Sequence, residues 1–167
     1  LNEIIRKIIK FLEAQLRLSE IHLDLRLSDT PCEVLGVEVR LEQVFLNLVQ
    51  NAVQAMGRVV MPRLTITSRI VNCLNLTTML KEPYVVVTVA DNGEGIPEDL
   101  QKKIFDPFFT TRVVGTGMGL GLSIVDRIVR GFSGYIEVES HPGKGASFSV
   151  YIPQLRQQEA TSQGATL

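Results

Sequence analysis

The sequence predicts an α+β fold, a two-layer sandwich in which helices cover one face of a mixed sheet. Three observations carry that prediction. Apolar residues recur at helical spacing in some segments and alternate with polar ones in others. The strand candidates fall mostly in adjacent pairs, with helices interspersed. The length of 167 residues suits one domain with a full core and leaves little room for a second.

Leu1, Ile4, Ile5, Ile8, Ile9, Leu12 and Leu16 fall at helical spacing and give an opening amphipathic helix. Ile21, Leu23, Leu25 and Leu27 alternate as in a half-buried strand, and Ser28-Asp29-Thr30-Pro31 closes it with turn chemistry. A second helix places Leu41, Val44, Phe45, Leu48, Val49, Ala52, Ala55 and Met56 on one face, with Gly57 to end it. Leu64 to Ser68 and Tyr84 to Val89 are strands rich in β-branched residues, and the stretch Asn72 to Pro83 is expected to be a loop or hairpin end. A short helix is expected over Glu98–Ile104, after Pro97. The glycine-dense stretch Gly115 to Gly121 then leads into a helix carrying Leu122, Ile124, Val125, Ile128 and Val129. Tyr135 to Glu139 and Ala146 to Ile152 are closing strands around the turn His141 to Gly145. The domain is expected to span residues 1–153, and the polar tail 154–167 to be disordered.

With 17 basic and 18 acidic side chains, the net charge of −1 supplies no general field for nucleic acid or an anionic membrane. Any affinity for phosphates must therefore come from a local site. Cys32 and Cys73 are distant in sequence and form no metal-ligand spacing, which suits two free thiols in a reducing cytosol. No apolar run is long enough to span a bilayer and no signal peptide opens the chain, so a cytoplasmic location is expected. The start Leu1-Asn2-Glu3-Ile4 reads as a cut from a larger protein, whose parent is free to carry an inner-membrane anchor.

Three polar features stand out. Gln43, Asn47 and Asn51 lie at successive i, i+4 positions, so their carboxamides line one edge of the second helix. Asn is a poor helix-interior residue, but its amide oxygen can ligate Mg²⁺ and its NH₂ can donate to a phosphate. For that helix in isolation, a solvated polar edge is the preferred reading. Asp91-Asn92-Gly93-Glu94-Gly95 follows an apolar strand, where a carboxylate can accept from an amino group such as adenine's and glycines admit a flat ring. Alone, that segment reads as a hairpin turn. The alternating glycines from Gly115 to Gly121, just before a helix, can turn N–H groups towards a phosphate, yet match neither the Rossmann nor the Walker A pattern. Phe105, Phe108 and Phe109 are read as packing that anchors this loop, and His22 and His141 as ordinary histidines.

The order of these motifs is more specific than any one of them. Asn47-Leu48-Val49-Gln50-Asn51-Ala52, Asp91 to Gly95, Ile104 to Phe109, Gly117 to Gly121 and Gly143-Lys144-Gly145 resemble, in sequence, the N box, the first glycine box, the F box, the second glycine box and the third glycine region of histidine kinases. The short connection from Phe109 to Gly115 resembles the short-lid kinases related to nitrogen-regulation and dicarboxylate sensors. The resemblance implies a Bergerat-type ATP site. By the family pattern Asn51 is a direct Mg²⁺ ligand, and Asn47 helps hold metal and phosphates as a catalytic position. Asp91 reads the adenine amino group, Gly93 and Gly95 shape the pocket, and Gly117, Gly119 and Gly121 let a lid fold over the phosphates. Arg112 stands where such kinases often carry lysine and is assigned to the terminal phosphate.

Two residues depart from the pattern. Ala146 occupies a usual Thr or Ser position, which puts one supporting hydrogen bond to the base in doubt, and Gln54 replaces a phosphate-binding lysine of some kinases. The implied function is to present the γ-phosphate of Mg–ATP to a histidine on a separate dimerisation domain of the same protein, with a response regulator downstream. Related gyrase-type ATPases place a glutamate where this chain has Asn47; an amide is no base for water, which disfavours rapid hydrolysis. A hydrolysing ATPase and a non-enzymatic module with a degenerate pocket are the alternatives.

Overall fold

The computed structural model describes residues 1–75, 79–109 and 119–155. Five strands form one sheet in the order β1-β2-β3-β5-β4: β1 (His22–Arg26), β2 (Arg63–Asn75), β3 (Leu80–Asp91), β4 (Tyr135–Ser140) and β5 (Ala146–Pro153). β1 pairs with β2 in parallel and the other neighbours are antiparallel, so the sheet is mixed as expected. The helices are α1 (Asn2–Leu18), α2 (Glu38–Ala55) and α3 (Gly121–Gly131), and α2 packs against both others.

The period of two along each strand decides which side faces the helices. Leu64 and Ile66, Val85, Val87 and Val89, and Phe148, Val150 and Ile152 join the same buried cluster as Ile5, Leu12, Phe45, Leu48 and Val125 of the helices. Register aligns these rows, with Ile66 opposite Val89 and Val89 opposite Phe148. On the other face Tyr135 stacks on Tyr151 with ring centroids 4.4 Å apart and meets Tyr84 edge-on at 5.9 Å. Val86, opposite Tyr151 in register, is fully buried without belonging to the helix-side core.

Two expectations need correction. The stretch from Asn72 to Pro83 is not simply a loop: β2 and β3 stay in register out to Asn75 opposite Leu80, and only residues 76–78 lie outside the described set. Pro83 is tolerated because its carbonyl, and hence its missing N–H, faces the β5 side, where pairing begins only at Tyr84 with Pro153 and the carbonyl accepts from Gln154 N at 2.9 Å. The helix expected over Glu98–Ile104 is instead a run of turns ending in a single 3₁₀ turn, Lys103–Phe105. Asp106, held extended before Pro107 (ψ 136°), stops it from growing.

The tail leaves the sheet tied down at first: Gln154 bridges to Val34 and Leu155 N donates to Glu33 O, while residues 156–167 lie outside the described set. Among the described residues no helix is long and apolar enough to cross a membrane. Cys32 and Cys73 are both free thiols.

A polar knot fixes α1 to the sheet. Buried Ser68 Oγ accepts from Ser28 N at 2.9 Å and donates to Asn2 Oδ1 at 2.8 Å, while Asn2 Nδ2 donates to Ser28 O at 2.8 Å. Removing one hydroxyl orphans a donor and an acceptor. Ser68→Ala is expected to lower the unfolding free energy by about 1–3 kcal/mol in a urea titration; an unchanged midpoint would show that water replaces the hydroxyl without cost.

Candidate functional site

α2 is amphipathic, with Leu41, Val44, Phe45, Leu48, Val49, Ala52 and Val53 buried against the core. The amides on its adjoining edge face a cleft of about 430 Å³ between α2, the start of α3, the loop after β3 and the start of β5. Gln43, Asn47 and Asn51 all line it, as the i, i+4 spacing predicts. A methyl placed on Gly121, the first residue of α3, would lie 3.8 Å from Asn47 Oδ1 and 3.9 Å from Asn51 Nδ2. The glycine end of α3 thus abuts the two asparagine amides, with the free N–H groups of its first turn close by.

Asp91, the last residue of β3, lines the same cleft. Its Oδ1 accepts from Gly93 N at 2.8 Å and from Ala146 N at 3.4 Å. Both bonds fall on one oxygen, leaving Oδ2 available to a ligand donor. Burial pushes the Asp91 carboxyl above its ordinary range, opposed by those two N–H groups and reinforced by nearby Glu94. Ala146 therefore contributes its backbone N–H beside Asp91, although its side chain cannot supply the hydroxyl.

The segment after Asp91 is not a hairpin turn, since it leads away from the sheet towards the 3₁₀ turn. Asn92 pins it from the side, accepting from Arg63 N at 2.7 Å and donating to Met61 O at 2.9 Å. Glu94 N donates to Ala55 O at 3.2 Å, fastening the loop to the last residue of α2. Gly93 passes so close to that carbonyl that a Cβ would come within 2.6 Å of Ala55 O. Gly95 takes φ +70°, and a Cβ there would lie 2.0 Å from His141 O, so only glycine lets the two turns meet.

Gly119 also takes positive φ, backed against the carbonyls of Phe108 and Phe109. Phe109 lines the cleft with Ile104, but Phe108 is 75% exposed and takes φ +65°, so it is not the packing residue that its composition suggests. Arg112 and Gly117 lie outside the described residues, as does the whole segment on which the short-lid reading rests. Neither His22 nor His141 lines the cleft.

The charge of the lining is one-sided. Asp91 and Glu94 are its charged side chains among the described residues, and no Lys or Arg joins them. Nor do the described residues hold any group of three His, Cys, Asp or Glu side chains able to bind a metal by themselves. Sequence reasoning missed Ser140 and Gln101, whose bonds run to the backbone of distant segments and leave no spacing to detect.

Residues 36–156 match the family described as histidine kinase-, DNA gyrase B- and HSP90-like ATPase. Sporulation kinase C of Bacillus subtilis (strain 168) is 33% identical over 154 residues, covering 92% of this chain and 33% of its own length. Sensor kinase CckA of Brucella abortus (strain 2308) is 42% identical over 117 residues, covering 68% of this chain and 12% of its own. The chain thus spans a third or less of these curated relatives. Among solved structures, the catalytic domain of histidine kinase ThkA superposes with TM-score 0.76 at 35% identity, covering 92% of both chains. ThkA has also been solved in complex with response regulator protein TrrA (TM-score 0.70, 31% identity, 93% of this chain and 40% of that one). Full-length ShkA in complex with AMPPNP matches with TM-score 0.76 at 26% identity over 93% of this chain and 30% of that one. The cleft, its two asparagines and its half-buried aspartate therefore sit in a member of the histidine kinase-, DNA gyrase B- and HSP90-like ATPase family, a catalytic ATP-binding domain of the sensor histidine kinase type.

Proposed function

We propose that this domain, residues 1–153, binds Mg–ATP in the cleft and presents the γ-phosphate to a histidine on a separate dimerisation domain of the same protein, from which a response regulator is served. A cytoplasmic location accords with that role, with the parent protein free to be anchored in the inner membrane, and the polar tail 154–167 takes no part in the chemistry. The observation that carries the reading is the placement of Asp91 and of the Asn47–Asn51 pair in one cleft. The ShkA complex with AMPPNP supports it for the nucleotide, and the ThkA–TrrA complex for the partner.

Asp91 accepts from the exocyclic amino group of adenine through the oxygen that its backbone donors leave open. Gly93 and Gly95 shape the pocket for the base, because without a Cβ they let the loop close onto the carbonyls of Ala55 and His141. Asn51 and Asn47 offer amide oxygens to Mg²⁺ and amide N–H groups to phosphate oxygens, a neutral donor set that suits a hard cation sharing its shell with phosphates. Bound Mg²⁺ supplies the charge neutralisation that phosphoryl transfer needs. Gly121 keeps a side chain out of the space beside the two asparagines, Gly119 lets the chain back onto the carbonyls of Phe108 and Phe109, and together with Gly117 they are assigned to folding a lid over the phosphates. Asn47 holds no proton-accepting oxygen basic enough to activate water, so it positions the phosphates without hydrolysing them.

The ionised form of Asp91 is the one that accepts from adenine. Calorimetric titration of ADP should therefore weaken as pH falls, beginning above the ordinary carboxylate range, because burial raises the Asp91 pKa. Asp91→Asn keeps an oxygen for Gly93 N but turns a donor towards the amino group. It is expected to weaken ADP roughly tenfold to a hundredfold without lowering the melting temperature of the free protein. Unchanged affinity would remove the adenine assignment. With no basic side chain among the described lining residues, withdrawing Mg²⁺ in the same assay should weaken ATP more than AMP.

His22 and His141 both lie off the cleft lining, so the chain alone should take up no acid-labile label from γ-labelled ATP. Labelling should appear when a separate histidine-bearing dimerisation domain is added; strong labelling of this chain by itself would sink the proposed division of labour.

We assign Arg112 to the terminal phosphate. Arg112→Ala is expected to weaken ATP more than ADP and to slow transfer to the histidine-bearing domain, and an unchanged rate would refute the assignment.

A further inference from the structure

Ser68 and Ser140 are the polar side chains buried most completely among the described residues, and the Ser140 bonds converge on the cleft. Ser140 closes β4; its Oγ donates to Gly145 O at 2.7 Å and accepts from Ile96 N at 2.8 Å. Gln101 completes the junction, its Nε2 donating to Ser140 O at 2.8 Å and to Ile96 O at 3.1 Å. Two side chains thus hold three backbone segments together: the loop after β3, the β4–β5 turn and the turns that lead to Ile104. None of these bonds is explained by the strand ladders.

The Gly145–Ala146 peptide shows what they achieve. A trans peptide is one rigid plane, so fixing its carbonyl fixes the direction of its N–H. Ser140 Oγ holds the carbonyl of Gly145, and the N–H of the same plane points at Asp91 Oδ1, 3.4 Å away. Ile96, which lines the same cleft as Asp91, is held by both its N–H and its carbonyl. Gln101 stands three residues before Ile104, which also lines the cleft.

We propose that Ser140 and Gln101 are positioning residues for base recognition, which aim the Gly145–Ala146 peptide and Ile96 at the nucleobase and tie them to the segment carrying Ile104 and Phe109. The assignment rests on the reading of the cleft as an adenine-nucleotide site. The positioning acts on the base and not on the phosphates, so it makes a demand that structural support alone does not: the dissociation constant of correctly folded molecules must change, and by the same factor for ADP and for Mg–ATP.

The experiment is calorimetric titration of ADP and of Mg–ATP into the native protein, Ser140→Ala, Gln101→Met and Asp91→Asn. Ser140→Ala and Gln101→Met are each expected to weaken both nucleotides about threefold to tenfold, the loss of one or two hydrogen bonds, at unchanged stoichiometry. A purely structural role would lower the stoichiometry as molecules unfold and leave the dissociation constant native, and that result overturns the proposal. If Ser140→Ala does not fold, Gln101→Met decides by the same criterion. If the native protein binds ADP and Asp91→Asn binds it equally well, the adenine reading itself fails and the positioning role falls with it. Weakening in Asp91→Asn with native affinity in Gln101→Met and Ser140→Ala overturns the positioning role alone.

Discussion

The cleft depends on one close contact between backbones. The β4–β5 turn is pressed against the end of β3 so tightly that a Cβ on Gly145 would stand 1.9 Å from Asp91 O, and Gly145 adopts φ +86° to manage it. Because β3 and β5 are neighbours in the sheet, that contact delivers the Ala146 N–H to the Asp91 carboxylate. It also brings the carbonyl of His141 against Gly95, and Gly143 N donates to Glu94 O at 2.7 Å. From there the bond between Glu94 N and Ala55 O carries the constraint into α2, the helix that bears Asn47 and Asn51. The base-binding and metal-binding ends of the proposed site are thus built on one continuous backbone framework.

What the sequence revealed followed the range of the interactions concerned. The α2 face and its amide edge were legible because periodicity is a local property, and the cleft does bring Gln43, Asn47 and Asn51 together. Asp91 and its glycines were legible as a motif, yet the hairpin alternative had to wait for the fold, since Asn92 spends its side chain on Met61 and Arg63, some thirty positions away in the chain. The long arms of β2 and β3 were hidden by Asn72 and Pro83, which disfavour strands locally and are overridden by pairing with each other. Ser140 and Gln101 could not be read at all. Side chains that bond to the backbone of remote segments follow no period, and a serine at a strand end looks like any turn residue.

The resemblance to histidine kinases placed Ala146 as a defect, and the fold qualifies that view. The usual hydroxyl is missing, but the backbone N–H at the same residue still faces Asp91. At this residue the carboxylate is met by a peptide plane that its neighbours hold. That places the burden on whatever orients the plane, and Ser140 is the side chain bonded to its carbonyl.

Asp91 also has a cost that its surroundings do not repay. A carboxyl whose pKa is raised by folding lowers stability once it ionises: the penalty is absent below the unfolded pKa, develops between the two values and is complete above the folded one. Burial is the leading cause of the shift at Asp91, and the two backbone donors reduce it without reversing it. Once ionised, this half-buried carboxylate has a second acidic residue, Glu94, beside it and no basic side chain among the described lining residues. Folding alone gives no reason to keep such a group there, where asparagine would satisfy Gly93 N equally well. A ligand that presents a hydrogen-bond donor to the open oxygen does give one, and it relieves the penalty only while bound. The same argument covers the amide edge, where neutral carboxamides face the cleft with no basic side chain among the described lining residues, so the proposed triphosphate calls for a bound cation. The acidic and amide side chains of the cleft are thus complementary in charge and hydrogen bonding to the proposed Mg–ATP.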